Sequence, residues 1–219
     1  MEESYTKENK HISKVFSGIF DIIECLVYAV AVVVIIFLFF GRLSMVDGAS
    51  MNNTLAHGDY LVVTNPLFLY QPQNNDIVVV HGDFSGSAYD KPIVKRVIAS
   101  GGQWVEINLY EDTLSVDGAL KKENYIIAVD NYGYEVSKEA YVNYHVARYL
   151  HGEYNSEIKL NVEAGIISFK VPENHYFVMG DNRLHSADSR IADIGFVHKD
   201  YIVGKAFFRL LPFDKFGGL

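Results

Sequence analysis

The chain has 219 residues, 49% of them apolar and 14% aromatic, which suits one medium domain with a real core and excludes a disordered chain. Its formal net charge is −8, which argues against nucleic acid as a partner, because phosphates call for a basic footprint. One cysteine, Cys25, excludes an intrachain disulfide.

The first long signal is Cys25 to Gly41, CLVYAVAVVVIIFLFFG, which carries no charge. That is the short end of a membrane-spanning helix, and Ile22 and Ile23 extend it if the Glu24 carboxylate snorkels to the interface. In lipid the backbone must satisfy its own hydrogen bonds, so even a β-branched run is driven into a helix. The expected span is 22–41, with 1–21 as a tail. No Ala-x-Ala-like cleavage site follows, so the span reads as uncleaved. Lys7, Lys10 and Lys14 precede it and only Arg42 follows closely. The positive-inside rule then puts the tail in the cytoplasm and residues 42–219 outside.

Beyond the span the pattern turns to strands. DYLVVT, DIVVVHG (Asp76–Gly82) and KPIVKRVIASGG (Lys91–Gly102) are short β-branched runs bounded by turn formers. QWVEINLYEDTLSVDGALKK predicts a hairpin around Asp117–Gly118. GIISFKVPENHYFVMGDN predicts two strands split at Pro172, and YIVGKAFFRLLPF a closing strand. The expected fold is mainly β, with antiparallel sheets. One stretch differs: SKEAYVNYHVARYLHG (Ser137–Gly152) has the N-cap and glycine stop of a helix. It lies within 124–161, read as a small α-containing insertion. Its tyrosines either line a substrate path or pack an amphipathic helix on the surface.

Three stretches carry chemistry. VDGASMNNTLAHGDYLVV (Val46–Val63) places Ser50 in a small polar turn just past the span. A serine hydroxyl is a weak nucleophile until a base takes its proton. His57 lies close in sequence, and His185 with Asp188 could complete a Ser–His–Asp arrangement. The better base is Lys95. Strand alternation puts it on one face with Ile93 and Val97, and an apolar surrounding lowers a lysine pKa toward neutrality. An exposed edge-strand lysine is the structural alternative. The third stretch, MGDNRLHSADSRIADIGFV, holds Asp181, Arg183, Asp188 and Arg190, whose balanced charges suit mutual pairing in a partly buried site. Ser186 is placed to bond and aim the lysine. No metal-ligand spacing and no Gly-rich phosphate loop is present, so neither metal nor other cofactor is expected.

Together these stretches resemble the type I signal peptidases, membrane-bound Ser–Lys endopeptidases. GASMNNTL is similar to the family's S-M-x-P-T-L box, VKRVIASGG to its lysine box, and MGDNRLHSADSR to its G-D-N-R-x-x-S-x-D-S-R box. The upstream VDG and the tail GKAFFRLLPFDKFG fit as well, while 124–161 has no match. The resemblance implies Ser50 as nucleophile, Lys95 as general base, Ser186 as orienting residue, and Asp188, Arg190 and Arg96 as supporting ion pairs. It implies an oxyanion bound by the Ser50 backbone N–H. Where some members carry a hydroxyl donor two residues earlier, this chain has Gly48. The family's proline is replaced by Asn53, which predicts a looser turn. The implied substrates are signal peptides of secreted precursors, cut after small-x-small sites, with the lipid bilayer and the export machinery as neighbours. Met51 and Leu55 either line the substrate pockets, touch lipid or pack the core. A non-catalytic binding or assembly factor for surface proteins is the rival reading, and an autoprocessing Ser–Lys protease of the repressor type is a third.

Overall fold

Alternating and continuous apolar runs build two antiparallel sheets in this computed structural model. It describes residues 18–35, 41–64, 71–82, 91–108, 111, 113–123, 159–161, 164–183, 185–191 and 193–219. By contacts the chain divides into two units, Met1–Arg42 and Leu43–Leu219. In the first, helix α1 (Gly18–Ile35) is long and apolar enough to cross a membrane. The described helix already includes Gly18, four residues ahead of the expected Ile22. Gly41, expected as the end of the span, already belongs to a strand.

The larger sheet runs β1 (Gly41–Met45), β2 (Tyr60–Thr64), β12 (Ile202–Leu211), β3 (Ile77–Val80), β4 (Ile93–Ser100), β10 (His175–Met179) and β11 (Val197–His198). The short β13 (Gly217–Gly218) pairs on β12. The smaller runs β7 (Ala119–Leu120), β6 (Thr113–Val116), β5 (Trp104–Asn108), β9 (Ile166–Lys170) and β8 (Lys159–Asn161). Asp117 and Gly118 both take positive φ, as a two-residue hairpin between β6 and β7 requires. The break at Pro172 is more than a turn, because β9 and β10 belong to different sheets.

Alternation explains the core. β5 reads exposed–buried–exposed–buried, and its inward Val105 and Ile107 meet Leu114, Val116, Ile167 and Phe169. The same cluster takes Ile98, Phe177 and Met179 from the larger sheet, so it packs one sheet on the other. β3 and β4 lie mid-sheet and are buried on both faces, which is why they read as continuous apolar runs. Strands β1, β8, β11 and β13 are short and escaped the sequence pattern. β8 falls inside the segment read as an insertion, and the expected helix Ser137–Gly152 lies outside the described residues.

Candidate active site

Ser50 opens a tight turn. The Ala49 carbonyl accepts from Asn52 N–H at 3.1 Å, and the Met51 carbonyl accepts from Thr54 N–H at 3.1 Å and Leu55 N–H at 2.8 Å. The turn is held from below by Met51 and Leu55, four apart and each 1% exposed, which pack with Val46, Leu61, Val63, Ile77, Val79 and Val94. Their burial favours core packing over the substrate-pocket or lipid-contact alternatives. From the side, Asn182 donates its backbone N–H to the Ser50 carbonyl at 3.0 Å and its side-chain amide to the Ala49 carbonyl at 3.1 Å. Asn53 takes φ +83°, a left-handed conformation that asparagine tolerates and proline cannot adopt. With Asn53 in this conformation the Ala49 and Met51 carbonyls are bonded within the turn, so it is held by hydrogen bonds where the missing proline had predicted a looser turn.

Lys95 comes to the turn from the middle of β4. Its Nζ donates to Ser50 Oγ at 2.8 Å and to the Val94 carbonyl at 2.9 Å. The expected face is found: Lys95 stands opposite Val78, and Ile93 and Val97 pack in one cluster with Val78 and Val80. The residue is 2% exposed, which removes the edge-strand alternative. Burial lowers its pKa to about 8. Arg190 adds to that fall, while Asp188 and Asp181 pull against it.

The third stretch wraps this pair. Arg190 forks onto Asp188, with Nε to Oδ1 and Nη2 to Oδ2 both at 2.8 Å. Burial alone would raise the Asp188 pKa. The Arg190 guanidinium, with hydrogen bonds from Gly180 N–H and Ser186, overrides it and holds the carboxyl well below the usual range. Arg96 forks onto Asp181 at 2.9 and 2.7 Å and also donates to the Asn75 carbonyl at 2.9 Å. Asp181 accepts from the Thr54 hydroxyl at 2.5 Å, so this pair ties β4 to the nucleophile turn. Gly180 sits where a Cβ would overlap Ser186 Oγ and the Ser50 carbonyl, so only glycine lets the two segments close.

Several expectations need adjusting. Asp181 and Arg183 do not pair with each other: Asp181 takes Arg96, and Arg183 takes Glu123. Ser186 meets the Asp188 carboxylate, whereas the hydrogen bonds of Lys95 go to Ser50 and Val94. Its direct influence is on Asp188, whose charge in turn acts on Lys95. His185 is exposed and the Asp188 carboxylate is filled by Arg190, which rules out a Ser–His–Asp arrangement of Ser50, His185 and Asp188. Thr54, Asn182 and Glu123 were missed as supports. The first two stand inside the quoted boxes, so polar side chains beside a nucleophile were the available signal.

The Ser50 N–H donates to no group among the described residues, and it lies at the start of the turn beside Oγ. A hydroxyl, an amine with a lowered pKa and an unused backbone donor thus stand together.

Comparison with known proteins agrees with this geometry. A family model described as "Signal peptidase, peptidase S26" matches residues 19–211. Signal peptidase I of Bacillus amyloliquefaciens is 30% identical over 213 residues, 97% of this chain and 95% of that protein. Signal peptidase I T of Bacillus subtilis (strain 168) is 30% identical over 215 residues, 98% and 96% of the two chains. Signal peptidase I of Aquifex aeolicus (strain VF5) is 32% identical over 198 residues, 74% and 72%. With a match that takes in the nucleophile turn, the lysine strand and the Asp188 loop alike, this chain belongs to the signal peptidase family, peptidase S26.

Proposed function

We propose that the chain is a membrane-anchored serine endopeptidase that removes signal peptides from exported precursors, with Ser50 as nucleophile and Lys95 as general base. The observation that carries this is the 2.8 Å contact between Lys95 Nζ and Ser50 Oγ, made by an amine whose pKa burial lowers to about 8. When Lys95 is neutral, the Ser50 hydroxyl donates to Nζ, and the proton crosses as Oγ attacks the scissile carbonyl carbon. The oxyanion that forms takes the Ser50 N–H. The Lys95 ammonium then gives its proton to the leaving amine, and the peptide bond breaks to an acyl-enzyme. A water repeats the sequence: Lys95 removes its proton, the hydroxide attacks, and Ser50 Oγ leaves with the proton returned.

Helix α1 anchors the protein, with the N-terminal lysines on the cytoplasmic side and residues from Arg42 onward outside. On the domain, Leu43 and Met45 of β1, Phe207 of β12, and Phe213 and Phe216 between β12 and β13 are exposed. Exposed apolar side chains of this kind suit contact with lipid, which would keep the site near a substrate that is itself in the membrane. Sites of the Ala-x-Ala kind are the expected cut points, by resemblance to the family.

The deciding experiment is cleavage of a precursor bearing an Ala-x-Ala site by purified wild type and by Ser50→Ala, side by side in detergent. Cleavage by the first alone supports the reading. No cleavage by a folded wild type would overturn it.

A further inference from the structure

The three residues in front of the nucleophile are held by one unusual contact. Val46 is tied to the next loop, donating to the Asp59 carbonyl and accepting from Gly58 N–H, both at 2.9 Å. The carbonyls of Ala49 and Ser50 are tied to Asn182. Between these anchors Asp47 and Gly48 are exposed, and Gly48 takes φ +101°. Its N–H donates to Nδ1 of His57 at 3.2 Å. An imidazole nitrogen accepts only when unprotonated, so the ring there carries its proton on Nε2.

The same Nδ1 lies 3.4 Å from Asp47 Oδ1, and the other Asp47 oxygen lies 3.4 Å from Lys91 Nζ. One ring nitrogen thus faces a donor and an acceptor. Neutral, it can hold Gly48. Protonated, it must turn from the amide to the carboxylate. The ring is 67% exposed, so solvent protons reach it. Asp47 is the charged group within ion-pair distance of the ring among the described residues, and Lys91 reaches its other oxygen. Asp59, the next carboxylate on this loop, is committed to Arg209 and to Ala56 N–H.

We propose that His57 is a positioning residue for the backbone beside the nucleophile. Neutral His57 fixes Asp47–Ala49 in the conformation that receives substrate residues next to the scissile bond, and it withholds the Gly48 N–H from them. Protonated His57 pairs with Asp47 and frees Gly48, so the receiving segment loosens while Ser50 and Lys95 stay in place. Those two are anchored separately, by Asn182, the core and β4, so the effect falls on KM and not on kcat. As far as activity is concerned, the inference rests on the proposed peptidase reading.

The test uses the full chain in detergent and a peptide with an Ala-x-Ala site. His57→Ala should raise KM roughly three- to tenfold, the range of one hydrogen bond, with kcat within about twofold. His57→Asn offers an acceptor oxygen that does not titrate. It should restore KM to the wild-type value. Equal KM for wild type and His57→Ala, or no rescue by His57→Asn, would overturn the proposal. Nitrogen-15 spectra of histidine-labelled protein decide the contact without activity. A neutral His57 protonated on Nε2, with the Gly48 amide shifting as the ring titrates, is expected; a proton on Nδ1 would overturn it. A wild type that cleaves nothing sinks the peptidase reading instead, and the spectra still judge the contact.

Discussion

Asn53→Pro would install the residue that the family's S-M-x-P-T-L box carries, and in this chain it should do harm. Proline locks φ near −65°, whereas Asn53 stands at +83°, so the backbone would have to swing by about 150°. The swing cannot be absorbed locally. Thr54 and Leu55 follow directly, and both donate to the Met51 carbonyl. Thr54 also holds Asp181, and Leu55 is buried in the core. A residue forced into a disfavoured backbone costs about 1–3 kcal/mol, and two lost turn hydrogen bonds about 1 kcal/mol each. The sum, about 3–5 kcal/mol, corresponds to a fall in Tm of roughly 10 °C for a domain of this size. A nucleophile displaced by even about 1 Å loses on the order of a hundredfold in rate. Asn53→Gly keeps the left-handed backbone and should match wild type within about 0.5 kcal/mol and about threefold in activity. Asn53→Ala should fall between, losing about 1 kcal/mol. The assays are thermal unfolding and precursor cleavage in detergent. If Asn53→Pro equalled wild type in both, the left-handed turn at Ser50 would be wrong. A chain with proline here must turn by another backbone, so the same box need not imply the same turn.

Other consequences follow from the same geometry. The base must be neutral to act, so kcat/KM should rise with pH along a limb near 8, with about a tenth of Lys95 neutral at pH 7; a profile flat down to pH 5 would contradict a lysine base. The folded pKa of Lys95 lies below its unfolded value of 10.5, so burial costs stability below about pH 8, and the cost fades as pH climbs toward 10.5. Lys95→Met should abolish cleavage yet raise stability at pH 7, by on the order of 3 kcal/mol at most, and Tm with it; an unchanged or lower Tm would mean that the amine is not a burden on the fold. Gly180→Ala should end activity, because the new methyl overlaps Ser186 Oγ and the Ser50 carbonyl; a fully active variant would show that the two segments are not that close. Phe213, 81% exposed, should matter only with lipid present. Phe213→Ser should lose about tenfold on a precursor in vesicles and little in detergent, given about 1.5 kcal/mol or more for burying a phenylalanine; equal loss in both would deny the lipid contact.

Much of this was legible because the signals were strong and local. β2, β3, β4, β9, β10 and β12 stood out as β-branched and aromatic runs between turn formers, and the Asp117–Gly118 hairpin by its dipeptide. The short strands were not legible. Val197–His198 and Gly217–Gly218 are strands only because β10 and β12 offer them an edge, and pairing of that kind leaves no periodicity in so few residues. Partner choice was the other blind spot. The balance of two aspartates and two arginines in Gly180–Arg190 predicted pairing but not who pairs with whom. Arg183 turns instead to Glu123, sixty residues away, and Asp181 to Arg96, eighty-five away. Such choices are fixed by tertiary geometry, which spacing along a loop does not carry.

The distribution of buried charge singles out the reactive group. A charge removed from water is tolerated when paired and hydrogen-bonded, and costly otherwise. Asp59 has Arg209, Arg96 has Asp181, Arg183 has Glu123 and Arg190 has Asp188. Lys95 is as buried as Arg190, yet its hydrogen bonds go to a hydroxyl and a backbone carbonyl, with no carboxylate in ion-pair contact among the described residues. A carboxylate touching Nζ would satisfy the ammonium and hold its pKa high, and the amine would then be useless as a base. Arg190 occupies Asp188 and Arg96 occupies Asp181, so the two nearby carboxylates stay neutralised by guanidinium groups and act on Lys95 only at a distance. The arginines therefore do more than brace the loop. By taking the carboxylates for themselves they leave the Lys95 amine with no carboxylate in contact among the described residues, which is what the proposed role of general base requires.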